Sequence, residues 1–363
     1  MICKPYFTTC LLIISVTSAA WGLDTAPTSL KERLWHLAKE EQTLYQQDNL
    51  LINNNALNRF IQQVSERLWR HANSELPAPS ISIVIDIEAQ AVTYANGKCY
   101  LTTGMLRQLQ NEHQLAMILA HEIIHYVRQH TIGLYQYSAP LTPNANGEHQ
   151  SNNIVIDQII QNAEHQADEE GFALFQAAGY CPKEFLALLT NFIAFAQTKG
   201  QVDETARLIT RKTHFEHLLK QSDLSINCAK KRDDTQNNYE NIMAPVLLAN
   251  AQLAIQLGYF NPANTDLSRY LKLRPQDAQA YFLKGQLFSQ CQKGSNMAES
   301  ITYFEKAIEL NPKLASAHKA LGVIYFKASR YQEAKRHFEA VITLAPQDTA
   351  IKYFKEYLRL CQD

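Results

Sequence analysis

The chain has 363 residues, 46% of them hydrophobic and 19% charged, which allows a core of ordinary size and favours two domains. Its 34 Lys and Arg against 35 Asp and Glu leave a formal charge of -1. That balance argues against a nucleic-acid partner, which would ask for a basic face.

At the N-terminus Lys4 precedes an apolar run from Phe7 to Val16, followed by "TSAAWG". The run is about half of the ~20 residues that a membrane span needs. Ser18 and Ala20 satisfy the small-residue rule for signal peptidase, with Ala20/Trp21 or Gly22/Leu23 as the cut. Residues 1–22 read as a cleaved signal peptide. No second span is apparent, so membrane association is expected to be peripheral at most. Cleavage leaves Cys99, Cys181, Cys228, Cys291 and Cys361. Five cysteines cannot all pair within the chain, and none has metal-site CxxC spacing, so mostly buried free thiols with at most one or two bridges are expected.

Leu30 to Leu51 and Leu57 to Ala72 carry apolar residues at helical spacing. "ELPAPS" interrupts the pattern, and "ISIVIDIEA", Ile81 to Ala89, alternates as a half-buried strand does. "KCYLTTGML" reads as a second strand ending at Gly104, and its edge is a candidate for pairing with an extended polypeptide. Asn111 is a plausible N-cap for the helix that follows. A loop rich in Pro, Asn and Gly runs from about Ser138 to Asn153, where it can act as a lid. Helical pattern returns from Ile154 to Ala178 and from Lys183 to Thr198. The polar, weakly periodic stretch Lys220 to Asn241 reads as a linker or exposed loop.

Beyond it the chain repeats, with Pro275, Pro312 and Pro346 closing similar phrases 37 and then 34 residues apart. The last unit sets Leu321, Gly322, Tyr325, Ala334, Phe338 and Pro346 where a tetratricopeptide repeat needs them. The middle unit keeps Gly285, Phe288, Phe304, Ala307 and Pro312, and a weaker first unit keeps Ala251, Ala263 and Pro275. A final helix would cap the array.

The chemistry-bearing segment is "LAMILAHEIIHYVRQH", Leu115 to His130. On a helix His121 and His125 share a face and can present two imidazoles to one ion, while Glu122 can reach a water in an open coordination position. The same five residues also occur by chance in ordinary helices, so a third ligand decides. The metzincin extension would need glycine and histidine where Arg128 and Thr131 stand. His130 is one residue out of that register and reads as a solvent-facing helix end. "NAEHQADEEGFALFQAAGY" offers the other solution: Glu164 as third ligand, with Asp168 on the same face able to accept a hydrogen bond from His121 and fix its tautomer.

"HEIIHYVRQH" followed by "EHQADEEGFALFQAAGYCP" resembles the HtpX/CAAX-prenyl-protease family of gluzincin metallopeptidases, over about Leu50 to Phe195. The signal peptide, the absence of several spans and the C-terminal repeats most resemble its soluble periplasmic BepA-like branch. The resemblance implies one Zn(2+) per chain held by His121, His125 and Glu164, with Glu122 as catalytic base and Asp168 supporting His121. It implies misfolded or stalled envelope proteins as substrates, and the outer-membrane assembly machinery as a partner of the repeats. In that branch a Thr-His-Pro segment can bring a further histidine to the metal. Here Thr213 and His214 are kept, Phe215 replaces the proline and Lys220 stands where an arginine is usual. His214 is thus a candidate regulatory ligand, with His217 as the alternative.

The expected architecture is α+β and mainly helical. A zincin-type metallopeptidase domain with a small sheet would span 23–225, a linker or exposed loop 226–243, and an all-α tetratricopeptide array 244–363. The rival expectation is a repeat-based chaperone or adaptor with a latent protease site.

Overall fold

The computed structural model describes residues 29–138, 153–198, 200–221, 232–290 and 297–360. The signal peptide lies outside the described residues, as does the lid loop apart from its two end residues. The chain divides into two compact units, Met1–Pro245 and Val246–Asp363. Cys99 is a buried free thiol and Cys181 is disulfide-bonded.

The first unit opens with two helices, α1 (Leu30–Gln47) and α2 (Asn55–Trp69). Ser29 and Glu32 form a capping box at α1, and Asn54 caps α2 through the Leu57 amide, so both start where orphan N–H groups find side-chain oxygens. Three short strands follow: β1 (Ser80–Val84), β2 (Ala91–Thr93) and β3 (Lys98–Thr102). Their order is β1-β3-β2, with β1 parallel and β2 antiparallel to β3.

Two strand expectations change here. The first strand stops at Val84 rather than Ala89. Asp86 accepts from the Glu88 amide at 2.9 Å, a local turn that competes with the ladder. β3, the strand expected to offer a free edge, is central, and β1 and β2 are the edges instead. The β2–β3 turn needs Gly97, which has φ of +78° and whose added Cβ would meet the Tyr126 ring at 2.8 Å.

After the single turn α3 (Thr103–Leu106) comes α4 (Glu112–Val127). Asn111 Oδ1 accepts from the Gln114 amide at 3.0 Å, which makes it the N-cap. From Gln114 to Tyr126 every side chain of α4 is buried. Each such Leu or Ile contributes roughly 1.5–3 kcal/mol by leaving water. This helix is therefore the rigid centre of the unit. Then α5 (His130–Ser138) and α6 (Asn153–Ala177) follow. α6 lies against α4 at Gly171, where a Cβ would stand 3.1 Å from the His121 Cα.

The unit continues with α7 (Pro182–Thr198) and α8 (Val202–Gln221). Phe215 is fully buried, with ring centroids 4.8 Å from Phe185 and 5.5 Å from Phe172. That packing explains an aromatic at this position: it ties α8 to the core. The expected linker is partly helix, because α9 spans Arg232–Gln256. Its polar sequence hides the pattern, yet Tyr239 is buried and meets Phe60 edge-on at 5.9 Å. Residues 222–231 are outside those described.

The second unit contains the rest of α9 and then α10 (Phe260–Leu273), α11 (Ala278–Gln290), α12 (Met297–Leu310), α13 (Ala315–Lys327), α14 (Tyr331–Leu344) and α15 (Ile351–Leu360). α11 packs with α12 and α13 with α14, as repeat hairpins do. Gly285 lets Phe304 approach, and Gly322 lets Phe338 approach. Phe354 of α15 stacks on Phe338 at 5.6 Å and closes the array. Among the described residues no helix is long and apolar enough to cross a membrane.

Candidate metal centre

α4 brings His121, Glu122 and His125 into the core, and each is buried. α6 adds Glu164. The two histidines turn Nε2 inward, 3.0 Å apart. Glu164 Oε2 lies 3.6 Å from His121 Nε2, and Oε1 lies 3.5 Å from His125 Nε2. Bonds of about 2.1 Å at tetrahedral angles put neighbouring ligand atoms roughly 3.4 Å apart, so the spacing suits one small divalent ion. Glu164 Oε1 is also buried without a hydrogen-bond partner, an arrangement that a cation would satisfy. The donor set therefore fits zinc.

Each histidine is held from behind. His121 Nδ1 lies 2.9 Å from Asp168 Oδ1. Asp168 is gripped by Arg211 of α8, whose Nε donates to Oδ2 at 2.8 Å and whose Nη2 donates to Oδ1. Burial opposes the Asp168 charge, but Arg211 and His121 outweigh it and hold the carboxyl down to about 2. Burial likewise opposes charge on His121, yet Asp168 and Glu164 push it up to about 9. His125, buried beside His121 and His130, falls well below the usual imidazole value. Metal entry would displace the His121 proton, while His125 is already a neutral donor.

His125 Nδ1 lies 2.9 Å from His130 Nδ1. His130 Nε2 lies 3.1 Å from Gln166 Oε1, Gln166 donates to Glu170 at 2.8 Å, and Glu170 accepts from Arg128 at 2.7 Å. His130 is thus half-buried behind His125 rather than facing solvent. The reason is a break in the helix. Residues five apart on one continuous helix point about 140° apart. Here α4 ends at Val127, Gln129 takes φ of +52° and α5 restarts at His130, which swings the ring back.

Glu122 accepts from Thr93 Oγ1 at 2.9 Å. Burial raises its pKa, with partial relief from His121 and Thr93. Thr93 ends the edge strand β2.

His214 stands outside the His121, His125 and Glu164 trio. It belongs to a second group with His165 and Glu169, and His217 is exposed. Sequence reasoning passed over Thr93, Gln166 and Arg211. Arg211 stands three residues before His214 on α8, but Arg207 and Lys212 beside it gave the sequence no reason to single it out.

Residues 55–144 match the model of peptidase family M48, and residues 278–314 and 315–348 each match tetratricopeptide-repeat models. The chain is 26% identical over 176 residues to the Beta-barrel assembly-enhancing protease of Escherichia coli (strain K12), covering 42% of this chain and 36% of that protein. The protein of the same name from Yersinia pestis is 27% identical over 155 residues, covering 37% of this chain and 32% of its own length. The match spans about a third of the length of these curated relatives.

Proposed function

We propose, on the premise that this is a peptidase family M48 chain with C-terminal tetratricopeptide repeats, that it is an exported zinc metalloendopeptidase acting in the periplasm. One zinc per chain would be held by His121, His125 and Glu164. The observation that carries this reading is the convergence of those three donors beside a buried carboxylate, Glu122. Bound zinc supplies Lewis acidity, making water a stronger acid and a peptide carbonyl more electrophilic.

The chain's own groups do the rest. Glu122 takes the proton of the attacking water and returns it to the leaving amine. Thr93 orients that carboxylate through its hydroxyl. Burial raises the Glu122 pKa, which favours return of the proton once it is taken. Asp168 and His130 keep the two imidazoles in the Nδ1–H tautomer, leaving Nε2 free to ligate. An extended polypeptide added to the β2 edge would run past Thr93 and so past Glu122.

The name of the similar proteins, Beta-barrel assembly-enhancing protease, supports a role in β-barrel protein assembly, which in this reading is outer-membrane protein assembly or envelope quality control. The repeats supply the partner- or client-binding surface. Purified mature chain should contain about one zinc and degrade casein. Glu122→Gln, nearly isosteric, should keep the zinc and lose the degradation. Wild-type protein that takes up no zinc, or a Glu122→Gln variant that still cleaves, would reject the reading.

A further inference from the structure

Glu164 and Asp168 face the centre described above. The residue after each, His165 and Glu169, lies about 100° further round α6, toward α8. There His165 Nδ1 stands 3.6 Å from Glu169 Oε2, and His214 Nε2 of α8 stands 3.6 Å from Glu169 Oε1. One donor atom from each residue fits within 4.8 Å of the others. The two imidazole centroids are 4.7 Å apart.

Ordinary solvated charge accounts for part of this cluster, since His165 and Glu169 are 59% and 48% exposed. It does not account for His214. Its Nε2 is buried, has no hydrogen-bond partner and is aimed at Glu169. A buried imidazole nitrogen left unbonded is costly, and a cation shared with Glu169 and His165 would satisfy it. Two nitrogens and one carboxylate oxygen suit zinc or a neighbouring first-row divalent ion. The 3.6 Å separations need only small rotations of two exposed side chains to reach tetrahedral spacing.

We propose that His165, Glu169 and His214 form a second, weaker divalent transition-metal site, back to back with the first across α6. Water fills its remaining position. An ion there ties α8 to α6, next to the Arg211–Asp168 pair that supports His121. This gives His214 a metal of its own rather than a place on the first.

Zinc titration of the full chain against a competing chelator tests the proposal. Wild-type protein should take up a tight and a weaker zinc, about two in all. His165→Ala, at an exposed position, should lose the weaker event and keep the tight one, and His214→Gln should do the same. Folding of both variants is checked by circular dichroism. Excess zinc should also slow amide exchange in α8 of the wild type and not in His165→Ala. Absence of a weaker event overturns the proposal, as does a weaker event that both variants retain. A wild type that shows the weaker event, lost in both variants, and no tight one would overturn the metal centre proposed above and leave this site standing.

Discussion

His125 Nδ1 and His130 Nδ1 lie 2.9 Å apart across the break between α4 and α5. The contact has one consistent proton arrangement once His125 Nε2 is a ligand. His125 donates from Nδ1, His130 accepts at Nδ1, and His130 Nε2 then donates to Gln166 Oε1. His130 thus positions His125 as Asp168 positions His121. His130→Ala should weaken zinc binding by about 10–100-fold, the range for removing an outer-shell partner of a ligating histidine. Chelator competition measures this, and an unchanged affinity would remove His130 from the role.

Thr93 and Glu122 give a prediction in pH. The carboxylate must be ionised to take a proton, so activity rises with pH through its pKa. The Thr93 hydroxyl lowers that pKa against the dominant effect of burial. Thr93→Val therefore moves the acid limb of the kcat/KM profile to higher pH. A merely structural loss would reduce activity at every pH and leave the limb where it was.

Arg211 and Asp168 form a buried ion pair. Arg211→Met leaves the carboxylate buried with His121 as its main counter-charge. Breaking such a pair costs on the order of 3–5 kcal/mol, readable by urea denaturation. The pH signature is specific. A carboxyl held down to about 2 from 3.8 adds stability that is full above the unfolded value and fades as pH falls toward 2. That acid-side loss should shrink in Arg211→Met. An equal acid-side slope in both proteins would mean that Asp168 owes its ionisation to something else.

Much of this centre was legible in the sequence because ligand spacing on a helix is a local property. His121, Glu122 and His125 sit within about one turn of α4, and Glu164 and Asp168 within about one turn of α6. The supporting contacts are not local. Thr93 reaches Glu122 across 29 residues, and Arg211 reaches Asp168 across 43; only the packing of β2 and α8 against α4 and α6 brings them in. His130 failed for the opposite reason. It is close in sequence, but a positive φ at Gln129 overrides the helical extrapolation. The repeats were legible because small and aromatic residues recur with the helix pairs. The start of α9 was not, because its polar composition conceals the anchor at Tyr239.

The last prediction concerns those repeats. Gly285 on α11 faces Phe304 on α12, and an added Cβ would stand 2.5 Å from the ring. Phe304 is buried and packs beside Phe282 at 5.6 Å, so the ring has little room to retreat. Gly285→Val should cost about 1–3 kcal/mol by overpacking and lower the melting of the array. Zinc content should not change, because the proposed ligands of the first centre all lie in the other compact unit. If the repeats are the surface that recruits clients, the variant also loses client capture above the temperature at which its array melts. A variant whose array melts as the wild type does would show that Phe304 repacks freely. A melted array with capture intact would move client recruitment to the metal-binding unit.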